Sequence, residues 1–420
     1  MATVDDHRAP FAATVATICL VGMVAVGQLY VTIPLMPRMS AAWGVSQASA
    51  AWTTTTFAVA YACGSLLSGP LSNRYGRRAV MTVSTAAMAF ATALVPCATS
   101  LGTGSAFRAL QGLPAGAFVP MSYSYLSARV PARRLPLALT TVSCCLGGTV
   151  VIGQVEAQLL ESAFGWRAVF WITAPLLLLG AGATARVLLP DPARSPRRAA
   201  PGPVSGAALP VRRLPLYLVT LTVAGSLTAV YTGVQLYGPK ELVGHDGAML
   251  ALRASGLPAL LASVLAAPLL GRIPAPRRAA GCSAVAAAGL VGAAVCANNV
   301  VGLAVALFVF MLGLANVGPA LVQTIGSSAG AAQTTAIAVY GFMLNLGGGV
   351  GAQLPPPIGN LSALTLVLAA VLAVTVAVIG LTARSSGKPV LEARVPVPDY
   401  LPAGNPTAGH SQTMSKMRGQ

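Results

Sequence analysis

The sequence predicts an all-α integral membrane protein whose twelve transmembrane helices form two six-helix halves. Three observations predict it. Of the 420 residues 55% are apolar and only 8% charged, and the mean hydropathy is +0.74, values outside the range of a soluble domain. Twelve largely uncharged runs, each long enough to cross about 30 Å of hydrocarbon, follow one another along the chain. The basic residues then fall on alternate connections. With both termini on one side, the loops 71–78, 127–135, 190–213 and 271–278, the two tails and Arg186 hold 21 Lys and Arg. The opposite loops hold Arg38, Arg167, Lys240 and Arg253, and Arg108 is left within a span. A miscounted helix would flip every later loop and destroy this asymmetry, which assigns the basic side to the cytoplasm. The net charge of +17 therefore reads as membrane topology and not as nucleic-acid binding.

In order, residues 1–11 form a polar cytoplasmic arm and 12–189 the N-terminal half, with spans near 11–36, 49–70, 79–98, 103–126, 136–160 and 166–189. The first run is too long for a signal-peptide core and lacks a basic leader, so it reads as a retained helix. Residues 190–213, with Pro192, Pro196, Pro201, Pro203, Pro210 and five arginines, read as a flexible cytoplasmic linker. The C-terminal half, 214–383, supplies spans near 214–238, 251–270, 279–298, 300–325, 332–354 and 360–383. The tail, 384–420, is rich in Pro, Gly and Ser and reads as disordered. Pro70-Leu71 with Arg77-Arg78 is echoed by Pro268-Leu269 with Arg277-Arg278, each after the second span of its half, as expected of a parallel six-helix repeat.

Chemistry-bearing residues within the spans are few. Arg108 costs about 2.5–3.5 kcal/mol to insert and needs a counter-charge, carbonyls or water, which makes it a functional candidate. Glu156 in span five is the obvious counter-charge. Both residues stand roughly 8–11 Å below the same boundary at 1.5 Å per residue, so a direct or water-mediated interaction that protonation of Glu156 weakens is expected. The alternative is a hydrated Glu156 facing the outer vestibule. Gln28 and Tyr30 suit either a substrate cavity or a helix–helix hydrogen bond and an interfacial ring. Tyr231 and Gln235 on span seven mirror them, and Gln111, Asn316, Gln323, Tyr340 and Asn345 complete the candidate cavity. Asn345 and Gln323 suit substrate or neighbouring helices equally. Gly112 with Gly116, and the run Gly347–Gly349 with Gly351, read as close helix packing. So neutral a cavity suits a moderately apolar or zwitterionic organic molecule better than a phosphate or a dicarboxylate.

The seven cysteines all fall in predicted spans with no C-x-x-C pair, and His7, His245 and His410 all lie outside them. Neither a metal site, a cofactor nor a histidine relay is expected, and nothing suggests an enzyme.

Four stretches carry a family resemblance. Gly69-Pro70-Leu71-Ser72-Asn73-Arg74-Tyr75-Gly76-Arg77-Arg78 resembles the signature loop of the major facilitator superfamily, G-x-L-(a)-D-R-x-G-R-R, with Asn73 in place of the acid. Here Gly69 and Pro70 are expected to close a helix, Gly76 to permit the reversal, and Arg74, Arg77 and Arg78 to sit at the headgroups. Pro34 and Pro37 resemble the proline pair closing the first span in drug antiporters. Arg108 through Gly112 resembles the R-x-x-x-G motif of the fourth span. Gly165-Trp166-Arg167 through Pro175 resembles the start of the sixth, whereas the Gly/Pro-rich motif of the fifth lacks its proline, Gln154 following Gly153. The chain is thus similar to the drug:proton antiporter group over about residues 12–383.

The resemblance implies a monomeric secondary transporter of the cell membrane, multi-pass with both termini cytoplasmic. It would export a small organic compound, a drug, antibiotic or metabolite, with protons as coupling ion. Proton-coupled uptake or facilitated diffusion on the same fold is the alternative, and a non-transporting membrane sensor a third reading. In the family the missing carboxylate is thought to bind the signature arginine and a helix N-terminus across the halves. Asn73 would then favour the outward-facing state less.

Overall fold

The computed structural model describes residues 11–131, 133–191, 214–243, 245–270, 272–328 and 333–385. Most of the expected arm, of the linker and of the tail lies outside the described residues. Seventeen α-helices follow in order among the described residues: α1 (Phe11–Gly27), α2 (Thr32–Trp43), α3 (Gln47–Ala50), α4 (Trp52–Tyr75), α5 (Arg77–Leu94), α6 (Leu101–Ala115), α7 (Phe118–Arg129), α8 (Leu135–Phe164) and α9 (Trp166–Val187) precede the linker. After it come α10 (Leu214–Tyr237), α11 (Asp246–Ala254), α12 (Gly256–Leu270), α13 (Ala275–Val295), α14 (Val300–Ser328), α15 (Gln333–Gly351), α16 (Pro355–Ile358) and α17 (Leu361–Ser385). Every regular element among the described residues is helical.

Among the described residues, eight helical stretches are long and apolar enough by themselves to cross a membrane: 11–43, 77–97, 137–164, 166–187, 214–237, 275–295, 300–326 and 361–382. The other four of the expected twelve passages are α4, with its threonines and serines; α6 with α7; α11 with α12; and the 19-residue α15.

Three passages are broken, and one rule explains all of them. A proline inside a helix cannot donate to the carbonyl four residues back, and its ring clashes with that carbonyl. Four residues before Pro34 is Tyr30, in the turn that separates α1 from α2; before Pro120 is Gly116, between α6 and α7; before Pro258 is Ala254, the last residue of α11. Each proline is the third residue of the helix that follows.

Two expected boundaries are corrected. Span one runs on past Pro37 to Trp43, where Gly44 caps it at φ +64°. The helix of span two runs through Gly69 and Pro70 to Tyr75, so the expected ten-residue loop is a reversal at Gly76 alone, at φ +85°. That φ lies in the region glycine favours.

The side that carries Gly76, Val130 and Asp191 is called here the linker side, and the one that carries Gly44, Ser100, Gly165 and Asn299 the far side. Glycines bring helices to backbone contact within each half. A Cβ at Gly116 would overlap Tyr61 O on α4, and one at Gly351 would overlap Gly225 O on α10. The apolar core follows the halves unevenly. A cluster of the linker-side region, from Val15 through Met121 and Tyr125 to Leu188, contains only residues that precede the linker. The core of the later helices instead continues into Ile33, Met36, Ala50, Ala51, Val150 and Val151 of the earlier ones, all from mid-span to the far side. The two halves are therefore joined by apolar packing toward the far side.

Candidate functional site

Arg108 is fully buried on α6. Its Nη2 donates to the main-chain carbonyl of Gln28 at 2.6 Å, its Nη1 to Oε1 of Gln111, and its Nε to the carbonyl of Thr53 at 3.4 Å. The Gln28 carbonyl lies in the turn between α1 and α2, where the helical ladder is interrupted and an acceptor is left over. Gln111 in turn donates through Nε2 to Gln28 Oε1 at 3.1 Å and to Thr92 Oγ1 at 2.7 Å. The guanidinium carbon lies 4.2 Å from the ring centre of Phe57 and 6.0 Å from that of Phe170, a favourable setting for a desolvated cation. This knot ties spans one, two, three and four together through neutral acceptors.

The expected direct pair with Glu156 is not among these contacts. Glu156 is half-buried on α8. Val155 packs on the core of the later helices and Gln158 bonds to one of them. A helix turns about 200° over two residues, so Glu156 stands on the side of α8 turned away from the bond that Gln158 makes. Glu161, near the far end of α8, accepts from Arg38 Nε at 2.8 Å.

Of the remaining candidates, Gln28 and Gln111 are buried inside the Arg108 knot and take the helix–helix reading. Gln235 is drawn into a bridge with Arg253. Gln323 takes the neighbouring-helix reading: it lies on the last turns of α14 at the linker side and accepts from Arg278 Nη2 at 2.5 Å. Tyr30 is half-buried where the cores of the two halves meet, packing on both. Tyr231 is buried beside Gly256 and Val151. Tyr340 donates to Gly318 O at 3.4 Å, while Asn316 and Asn345 donate to carbonyls of their own helices, Leu312 and Gly341, at 3.0 and 2.7 Å. The side-chain carbonyls of both asparagines remain available to other donors.

At the linker side Asn73 and Arg74 are exposed on the last turn of α4, Arg74 over the ring of Tyr75. Arg77 donates through Nε to Ser124 Oγ on α7 at 2.7 Å and pairs with Asp191, which also accepts from the Arg77 main-chain nitrogen; Arg78 reaches Ala185 O. Asp191, which follows α9, thus supplies a carboxylate to Arg77. An arginine of each pair thus bonds a neighbouring span, Arg77 span four and Arg278 span ten.

The two halves are also hydrogen-bonded to each other toward the far side. Thr55 Oγ1 on α4 donates to Gly349 O on α15 at 2.9 Å and accepts from Gln353 Nε2 at 2.7 Å. Arg253 on α11 donates through Nη1 to Gln158 Oε1 on α8 and through Nη2 to Gln235 Oε1 on α10. The sequence reading placed Arg253 in an outer loop, but it is 3% exposed. A signal for it was present: Thr55 stands fifteen residues before Pro70 and Arg253 fifteen before Pro268, so the repeat makes them counterparts.

With this architecture described, comparison with known proteins decides the family. The profile of the Major Facilitator Superfamily matches residues 18–352. The chain belongs to that superfamily. Among relatives, the Tetracenomycin C resistance and export protein of Streptomyces glaucescens is 29% identical over 200 residues, 48% of this chain and 37% of that protein. The 4-hydroxybenzoate transporter PcaK of Acinetobacter baylyi is 29% identical over 147 residues, 34% of this chain and 32% of its own. The Multidrug resistance protein MdtG of Escherichia coli is 26% identical over 251 residues, 57% and 61%. The matched stretches thus span less than two thirds of each relative. As a Major Facilitator Superfamily member the chain is a multi-pass membrane protein of a transporter family. Its buried Arg108, its Gly76 reversal and its Trp166 segment are the superfamily-like motifs that the sequence displayed.

Proposed function

We propose that the protein is a secondary active transporter that exports a small organic compound in exchange for protons by alternating access. The observation that carries this reading is the one-sided seal. Hydrogen bonds and apolar core join the halves toward the far side, whereas the linker-side core of the first half contains no residue of the second. Such an arrangement is one of the two end states that a rocking pair of halves requires.

In this reading the linker side is cytoplasmic, as the arginine count argues, both termini lie there, and the protein acts as a monomer in the cell membrane. Substrate enters between the halves and meets Tyr30, Tyr340, Asn316 and Asn345. These are neutral groups, and Arg108 is enclosed by its own acceptors, so an uncharged or zwitterionic compound with apolar surface suits them. Export is supported by relatives named for tetracenomycin C export and multidrug resistance. Glu156 is the candidate coupling acid, because Glu161 is paired with Arg38. Arg108 holds the turn of span one, around which the first half moves as a body.

A second reading, uptake or facilitated diffusion of a similar compound, is favoured by the position of Glu156 on α8 away from the bond to the second half, and by the relative named as a 4-hydroxybenzoate transporter. Purified protein in liposomes containing a pH-sensitive dye separates the two. Exchange requires each substrate addition to move protons in the opposite direction to the compound. Protons that move in the same direction as the compound, or saturable substrate flux with no proton movement, establish the second reading.

A further inference from the structure

We propose that Arg253 and Gln158 form a latch that holds the far side closed, and that Thr55 and Gln353 form its counterpart in the internal repeat. Span eight is broken at Ser255 by Pro258, which leaves Arg253 on the last turn of α11 with its guanidinium turned into the protein. Two of its terminal donors reach two glutamine carbonyl oxygens, one in each half: Gln158 on α8 and Gln235 on α10. Both glutamines are buried, at 5% and 8% exposure. Two turns before Gln158, on the same face of α8, Val151 comes within 2.9 Å of where a Cβ of Gly256 would stand, so the absent side chain lets α12 close on α8 beside the bridge.

The second post uses the same pair of elements from the other halves. Span two supplies Thr55 and span eleven supplies Gly349 and Gln353, just as span eight supplies Arg253 and span five Gln158. One post is neutral and the other cationic. Opening the far side separates Gln158 from Arg253 while Gln235, in the same half as Arg253, keeps its bond. The cation is therefore never left without an acceptor, and the bond to Gln158 sets how readily the gate parts. A like argument applies to Thr55, which loses Gln353 and Gly349 together.

The proposal rests on the alternating-access reading, but its test reads a distance and needs no substrate. In a full-length background with the seven cysteines replaced, nitroxide labels at Ser162→Cys and Asn298→Cys, both exposed at the far side of opposite halves, report the separation by pulsed dipolar spectroscopy. Gln158→Met removes the bond across the halves and keeps the side chain's bulk; a threefold or larger rise in the long-distance population is expected. Gln158→Glu places a carboxylate against Arg253, and the long-distance population is expected to fall below that of the unaltered protein. Gln353→Met should act in the direction of Gln158→Met, and Gln235→Met much less. A misfolded variant would not produce opposite shifts from Met and Glu at one position. Unchanged distributions in both, or shifts of the same sign, overturn the latch. If the shifts appear and no compound is transported, the latch stands and the export reading falls.

Discussion

Arg108 Nη2 donates to the main-chain carbonyl of Gln28 at 2.6 Å, so the buried cation of span four is fastened to the broken turn of span one. The arginine needs acceptors because it lies in the bilayer, and the turn between α1 and α2, where the helical ladder is interrupted, has the Gln28 carbonyl to spare. Each solves the other's problem. Arg108→Lys keeps the charge but loses the planar fork; transport is expected to fall at least tenfold. In Arg108→Met the acceptors lose their donor, at about 1–3 kcal/mol for each one left unsatisfied. A lower midpoint of thermal unfolding in detergent checks it, and Gln28→Met, which leaves the main-chain carbonyl in place, should lower it less.

Close packing of α4 on α6 depends on Gly116, where a Cβ would overlap Tyr61 O and meet Ser65 N at 2.7 Å. Neither backbone can yield locally. Gly116→Ala should cost about 1–3 kcal/mol or more, read as lost thermal stability and reduced monodispersity. Gly147→Ala, where nothing lies within 4 Å of the added carbon, serves as the control and should leave stability unchanged.

Gly349 makes a related prediction about the halves. A Cβ there would stand 3.0 Å from Ala58 Cβ and 3.3 Å from Thr55 O, both in the opposite half. Gly349→Val should therefore wedge the far side open, and the exposed Ser162→Cys and Asn298→Cys pair, cross-linked by a short bifunctional maleimide, should react less than in the parent protein.

Asp191 carries a fourth prediction. It is paired with Arg77 at 3.5 Å and bonded to the Arg77 main-chain nitrogen, so Arg77 already has a carboxylate. Asn73→Asp alone should then change little, whereas Asp191→Asn should lower thermal stability by about 0.2–1 kcal/mol, the scale of a half-exposed pair. A stabilisation by Asn73→Asp that is larger in the Asp191→Asn background would show that the two positions serve the same arginine.

Much of this was legible in the chain. The alternation of apolar runs and the arginine asymmetry mark the order of the passages, because hydrocarbon excludes charge whatever the tertiary fold. Arg108 and the Gly112/Gly116 pair were legible for the same reason, being residues whose chemistry conflicts with an ordinary lipid-facing span. The breaks in spans one, four and eight were also written in the sequence, at Pro34, Pro120 and Pro258, but a proline near a predicted span end reads as a boundary when it is in fact a kink. Partnerships were not legible. Matching depths brought Arg108 and Glu156 together on paper, whereas pairing also depends on which way each helix is turned, and neutral carbonyls from the broken turn satisfied the arginine. Arg253 looked like a headgroup cation because nothing local shows that two glutamines from separate helices converge on it.

Export coupled to protons is tested most directly in everted membrane vesicles. A panel of labelled zwitterionic and uncharged aromatic compounds is offered to vesicles acidified inside, with Glu156→Gln measured in parallel at matched protein levels. Saturable accumulation of at least one compound is expected, collapsing when the gradient is dissipated and lost in Glu156→Gln. Accumulation that is the same with and without the gradient, or undiminished in Glu156→Gln, would contradict it.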